Sequence, residues 1–70
     1  MDVLVIFIIL NEKGTYDVWV NGREICEARD LRIQAASDRA RAILRNHGGG
    51  VILIEDENGN HLGTEYVKVD

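Results

Sequence analysis

Few residue types in this chain could carry out chemistry: one cysteine, Cys26, two histidines, His47 and His61, and scattered carboxylates and arginines. A nucleophilic thiol needs a histidine neighbour or a helix N-terminus to hold its thiolate. Cys26 lies in a strand-like run with Asp17 expected opposite it, a setting that does not activate a thiol, so it reads as a structural residue. Cys26, His47 and His61 could form a partial metal set only if three separated segments converged, and no two of them have helix or knuckle spacing. Gly48-Gly49-Gly50 resembles a phosphate loop in composition, but it follows a helical segment. A phosphate loop precedes its helix, where free N–H groups and the positive dipole end face the anion. The oxygen-rich stretch Asp56-Glu57-Asn58-Gly59-Asn60 would need glycine and glutamate at positions six and twelve of a calcium loop, and these are His61 and Val67. It reads as a solvated hairpin tip. No catalytic constellation, metal or cofactor is indicated, and the chain is expected to be non-enzymatic.

Charge says more. The chain has 70 residues, 8 basic and 12 acidic side chains, and a net charge of −4. That balance argues against nucleic acid as the main partner, because phosphate neutralisation needs a positive surface. The charge is also polarised. Residues 29–47 carry five arginines against two aspartates, a net of +3, and the rest carries three cations against ten carboxylates, a net of −7. The helical arginines Arg32, Arg39, Arg41 and Arg45 are the alternative, nucleic-acid-facing set, but no aromatic residues interleave with them for base stacking. Only Asp38–Arg41 has the spacing of an intrahelical pair. The carboxylates Glu12, Asp17, Glu24, Glu27, Asp56 and Glu57 are the expected partner-binding surface, since an acidic face can occupy a Lys/Arg-lined channel.

The elements that must position these residues are well punctuated. Asn11-Glu12-Lys13-Gly14 is a turn cluster, and Asn21-Gly22 and Asn58-Gly59 are hairpin dipeptides. Strands are expected over about 3–10, 15–20, 23–28, 51–55 and 61–69. A two-residue loop at Asn21-Gly22 would set Val18 opposite Ile25, Trp19 opposite Glu24 and Asp17 opposite Cys26. Ile33, Ala36, Ala40, Ile43, Leu44 and His47 form one helical stripe over about 31–46, with Asp30 or Ser37 as N-cap and Gly48 just past the C-terminus. His47 would face the last carbonyls and the negative end of the helix dipole. The N-terminal apolar run is eight residues, too short for a membrane helix of roughly 20 residues, and Asp2 stands where a signal peptide would be basic. A cytoplasmic, membrane-free setting is the expectation.

The expected architecture is a single α+β domain over residues 1–70: a five-stranded antiparallel sheet with one helix on one face, chain order β-β-β-α-β-β and sheet order 3-2-1-5-4. The first strand is apolar on both faces and belongs at the centre. One helix cannot cover both of its rows, and soluble monomers rarely expose a large apolar patch. A homodimer through the uncovered face is therefore expected. Leu4, Ile6 and Ile8, with Trp19, are assigned to that interface, because the Phe7 row would better fill the space under an alanine-rich helix.

Residues 31–62 also carry a resemblance. The alanine-spaced helix with Ala36 and Ala40, its glycine stop, and Val51-Ile52-Leu53-Ile54-Glu55-Asp56-Glu57-Asn58-Gly59 are similar to small phage anti-CRISPR proteins built as an antiparallel sheet with one helix. The segment also looks like a bacterial ββαββ domain family of unknown function. The first resemblance implies a protein that binds a CRISPR effector complex and blocks it without catalysis, in the host cytoplasm if phage-encoded. It assigns no functional residue.

Overall fold

A computed structural model of the chain describes residues 3–20 and 24–69. Its elements are β1 Leu4–Leu10, β2 Tyr16–Val20, β3 Ile25–Leu31, α1 Ile33–His47, β4 Gly50–Glu55 and β5 His61–Val67. The α+β class, the single helix and the five strands match the sequence expectation. The sheet order does not: it is β3-β2-β1-β4-β5, with β1 and β4 parallel and the other neighbours antiparallel.

The physical reason lies in β4. Val51, Ile52, Leu53 and Ile54 make a second run that is apolar on both faces, the kind of strand a parallel, doubly flanked position favours. The β1–β2–β3 meander leaves β3 running in the direction of β1. The helix then returns the chain so that β4 enters in that same direction and pairs with β1 from Leu4↔Gly50 to Ile9↔Glu55. The polar β5 is left at the edge.

The β2–β3 register also differs. Val20 pairs with Ile25, Trp19 with Cys26 and Val18 with Ala28, with register shifts along the pair. Four residues separate Val20 from Ile25, so the register set by a two-residue loop is replaced. The Asn21-Gly22 turn itself lies outside the described residues. A bulge lets β3 run on to Leu31, and Asp30 there takes a left-handed φ of 57°. Asp30 is therefore not the helix cap. That position belongs to Arg32, which makes no side-chain capping bond.

Helix termination follows expectation. Gly48 has φ 106°, and the Gly48 and Gly49 amides both donate to the Leu44 carbonyl, at 3.0 and 2.7 Å. The core comprises Ile6 and Ile8 of β1, Val18 and Val20 of β2, Ile52 of β4, and Ala36, Ala40 and Leu44 of α1. Leu4, Tyr16, Ala28, Leu31, Ile43, Ile54 and Val67 pack around it. The middle of the expected stripe is thus inside, whereas Ile33 and His47 at its ends are exposed.

The helix covers the Leu4–Ile6–Ile8 row, and Ile6 and Ile8 are fully buried beneath it. This reverses the assignment of these three residues to an open interface. Ala36 and Ala40 bring the helix axis close to the sheet, and compact aliphatic side chains fill that gap. The larger Phe7 is turned to the other side.

Candidate functional site

Alternation along the paired strands defines the face opposite the helix. One row across it runs Trp19–Phe7–Leu53–Thr64, with Cys26 beyond Trp19. A second runs Val5–Val51–Tyr66. A third, toward the Asn11–Thr15 turn, runs Asp17–Ile9–Glu55. The face is thus apolar through its middle and one end, and acidic at the other. Trp19 is the interface residue of the sequence reading that does lie here, half-buried, with the Arg29 guanidinium 5.5 Å from its ring centroid.

At the acidic end, Ile9, Leu10 and Trp19 form the floor of a shallow concavity of about 460 Å³, with Asn11, Glu12, Asp17 and Glu57 around it. Three of the six expected partner-binding carboxylates therefore converge, drawn from the β1–β2 turn, β2 and the β4–β5 hairpin. Their supports are local. Asn11 Oδ1 accepts from the Lys13 and Thr15 amides, while its Nδ2 donates to Thr15 Oγ1, Asp17 Oδ1 and Asp30 Oδ1. The Asp30 amide donates to Asp17 Oδ1 at 3.0 Å, so the bulge in β3 holds the Asp17 side chain in place. Asp56 is held within its own hairpin. Its Oδ1 accepts from the Asn58 and Asn60 amides, both at 2.9 Å, and closes the hairpin as an Asx turn. Glu24 and Glu27 lie toward the start of β3, away from this end.

The helix arginines do not assemble into one site. Arg41 Nε and Nη2 donate to Glu65 Oε2 and Oε1 at 2.6 and 2.9 Å, and its Nη1 donates to Asp38 at 3.2 Å. This fork clamps the helix to β5. Arg32, Arg39 and Arg45 are exposed. Cys26 pairs with Trp19 rather than Asp17, and its thiol donates to the Ala28 carbonyl at 3.4 Å. His61 Nε2 lies 2.6 Å from Thr64 Oγ1. Among the described residues, no group of three or more His, Cys, Asp or Glu is placed to hold a metal ion. No helix among them is long and apolar enough to cross a membrane.

Three carboxylates among the described residues have depressed pKa values. Glu65 is lowered by its bond to Arg41, Asp30 by the Thr15 hydroxyl and then Lys13 and Asn11, and Asp56 by Asn60 and the hairpin amides. A depressed folded-state pKa adds stability that is complete above the ordinary values, 3.8 for Asp and 4.5 for Glu, and is lost as pH falls through the depressed ones. Urea midpoints are therefore expected to drop from about pH 5 downward. Glu65→Gln should have a lower midpoint at neutral pH and a flatter acid slope. These groups are solvent-screened, so added salt should shrink the difference. An acid slope in Glu65→Gln equal to that of the wild type would remove Glu65 from this account.

Of the open-face residues, Val5 and Phe7 belong to the row that sequence reasoning set under the helix, and Val51, Leu53 and Tyr66 were given no face. A usable signal exists in β2, where Val18 and Val20 alternate with Asp17 and Trp19. Once Ile8 is paired with Val18, the inward row of β1 follows. No family model matches the chain, and neither a curated protein nor a solved structure matches it significantly.

Proposed function

We propose that this chain is a small non-enzymatic protein-binding module that presents the acidic end of its sheet to a basic partner. The observation that carries the reading is the convergence of Glu12, Asp17 and Glu57 around the apolar floor of Ile9, Leu10 and Trp19. An apolar floor with a carboxylate rim suits a lysine or arginine side chain, whose aliphatic stem packs while its head is paired. An inhibitor that fills a basic channel meant for nucleic acid is one form of such a module. The anti-CRISPR resemblance names the form in which that channel belongs to a CRISPR effector complex.

The test is capture from a host lysate at moderate salt, comparing wild type, the double variant Glu12→Lys/Glu57→Lys, and Arg39→Glu. Wild type and Arg39→Glu are expected to hold a common partner. The double variant should lose at least about tenfold of it, since reversed charges at a complementary interface repel. No partner, or a partner indifferent to the double reversal, overturns the reading. A gel shift with nucleic acid that weakens steeply with salt and with Arg39→Glu would put the helix arginines in its place.

A further inference from the structure

The carboxylates account for one end of the open face and leave its middle unexplained. Val5, Phe7, Trp19, Val51 and Leu53 are only half-buried there, and Tyr66 is 76 % exposed. We propose that a second copy of the chain covers these rows in a face-to-face homodimer whose two sheets run in opposite strand directions. This goes beyond the partner-binding reading and does not rest on it; a second copy and a basic partner compete for the acidic end, because the dimer covers Trp19 and the carboxylates beside it.

Area favours a copy as the occupant. Five strands spaced about 4.8 Å apart, and seven residues rising about 3.3 Å each, give a face of roughly 24 by 23 Å, or about 550 Å² in projection. Stacking two such faces removes about 1,100 Å², past the roughly 1,000 Å² expected of a specific interface. Two sheets packed face to face, with interdigitated inner side chains, are a common stable arrangement. The domain also gains where it is weakest, because its helix-side core has only eight buried apolar residues among those described.

Charge selects the orientation. The Asn11–Thr15 turn and the β4–β5 hairpin put Glu12, Asp17, Glu55 and Glu57 at one end of the face. The opposite end carries Val3, Val5 and Tyr66, with Lys68 just past β5 and Glu24 just before β3. Strands running the same way in both sheets would bring the two acidic ends together. Opposite directions stack each strand on its counterpart, which lays Glu55 and Glu57 over the Tyr66–Lys68 end of the other copy and Glu24 toward its Arg29, and so removes that repulsion. The two-fold axis then passes near Phe7, midway along the central strand, so the Phe7–Trp19 rows meet each other.

Light scattering on the full chain should give a mass of about two chains at micromolar concentration. Phe7→Asp should give a monomer with wild-type helical circular dichroism, because Phe7 lies outside the helix-side core. Tyr66→Glu, at an exposed position that faces the acidic end of the other copy, should raise the dimer dissociation constant at least about tenfold without any core change. Spin labels at Val3→Cys, beside the start of the central strand, in a Cys26→Ser background should lie more than about 20 Å apart, since opposed strands carry the two copies of that position to opposite ends, whereas same-direction strands would leave them about 10 Å apart across the sheets. A wild-type monomer overturns the proposal, and so does a dimer indifferent to both Phe7→Asp and Tyr66→Glu. A shorter label separation overturns the opposed orientation. Phe7→Asp leaves Glu12, Asp17 and Glu57 in place, so capture of a basic partner by that variant, lost on Glu12→Lys/Glu57→Lys, reports on the partner reading whatever the mass of the wild type, and the two readings fail separately.

Discussion

Leu44→Ala is expected to remove a large share of the folding free energy at 25 °C and to lower the urea midpoint sharply. Leu44 is fully buried and belongs to the cluster that joins the helix to Ile6, Ile8 and Ile52 of the two central strands. Truncating a buried leucine removes its transfer free energy and leaves a cavity, at about 2–5 kcal/mol. At about 0.05–0.15 kcal/mol per residue, a chain of this length has only about 3.5–10 kcal/mol in total. The helix contributes only Ala36, Ala40 and Leu44 as fully buried residues, so no other large side chain of α1 can take over. Urea unfolding followed by circular dichroism measures this, at fixed protein concentration because association would be linked to folding. A midpoint within experimental error of wild type would mean that Leu44 is not at the helix–sheet junction.

Gly50→Ala is the second large effect, and it tests the topology. A Cβ on Gly50 would fall against the Leu4 carbonyl oxygen and lie 2.7 Å from Leu44 Cδ2. The carbonyl belongs to the backbone of β1 at the Leu4↔Gly50 start of the parallel pair, so it cannot yield without parting the two central strands. Overpacking of this kind costs about 1–3 kcal/mol, and a backbone obstruction lies at the upper end or beyond. Gly63→Ala is the control. Its Cβ would meet only Ile54 Cδ1 at 3.8 Å, an ordinary contact, so its effect should be small. If the two variants had equal unfolding midpoints, β4 would not lie beside β1, and the antiparallel order with the last strand at the centre would return.

The acidic site was half legible in advance. Glu12, Asp17 and Glu57 could be named as surface carboxylates, because turn residues and strand alternation place them outside the core. Their separation from Glu24 and Glu27 could not be read, since it depends on which turns share an end of the sheet. The capture of Arg41 by Glu65, 24 residues away, was equally hidden, whereas its local partner Asp38 was foreseen from helical spacing.

The sequence by itself determined the element order, the α+β class, the helix stop at Gly48 and the presence of an apolar face that one helix cannot cover. Each of these rests on local chemistry: β-branched runs, a 3.6-residue apolar period, and a glycine where φ is positive. Tertiary structure decided the neighbour of the central strand, the β2–β3 register and which row of β1 faces the helix. β1 is apolar on both sides, so its own alternation carries no sign, and burial of either row would satisfy the hydrophobic effect equally. The choice fell to contacts outside the strand. Ala36 and Ala40 admit only compact side chains beneath them, Val18 ties Ile8 to the same side, and the doubly apolar β4 competes successfully with β5 for the place beside β1.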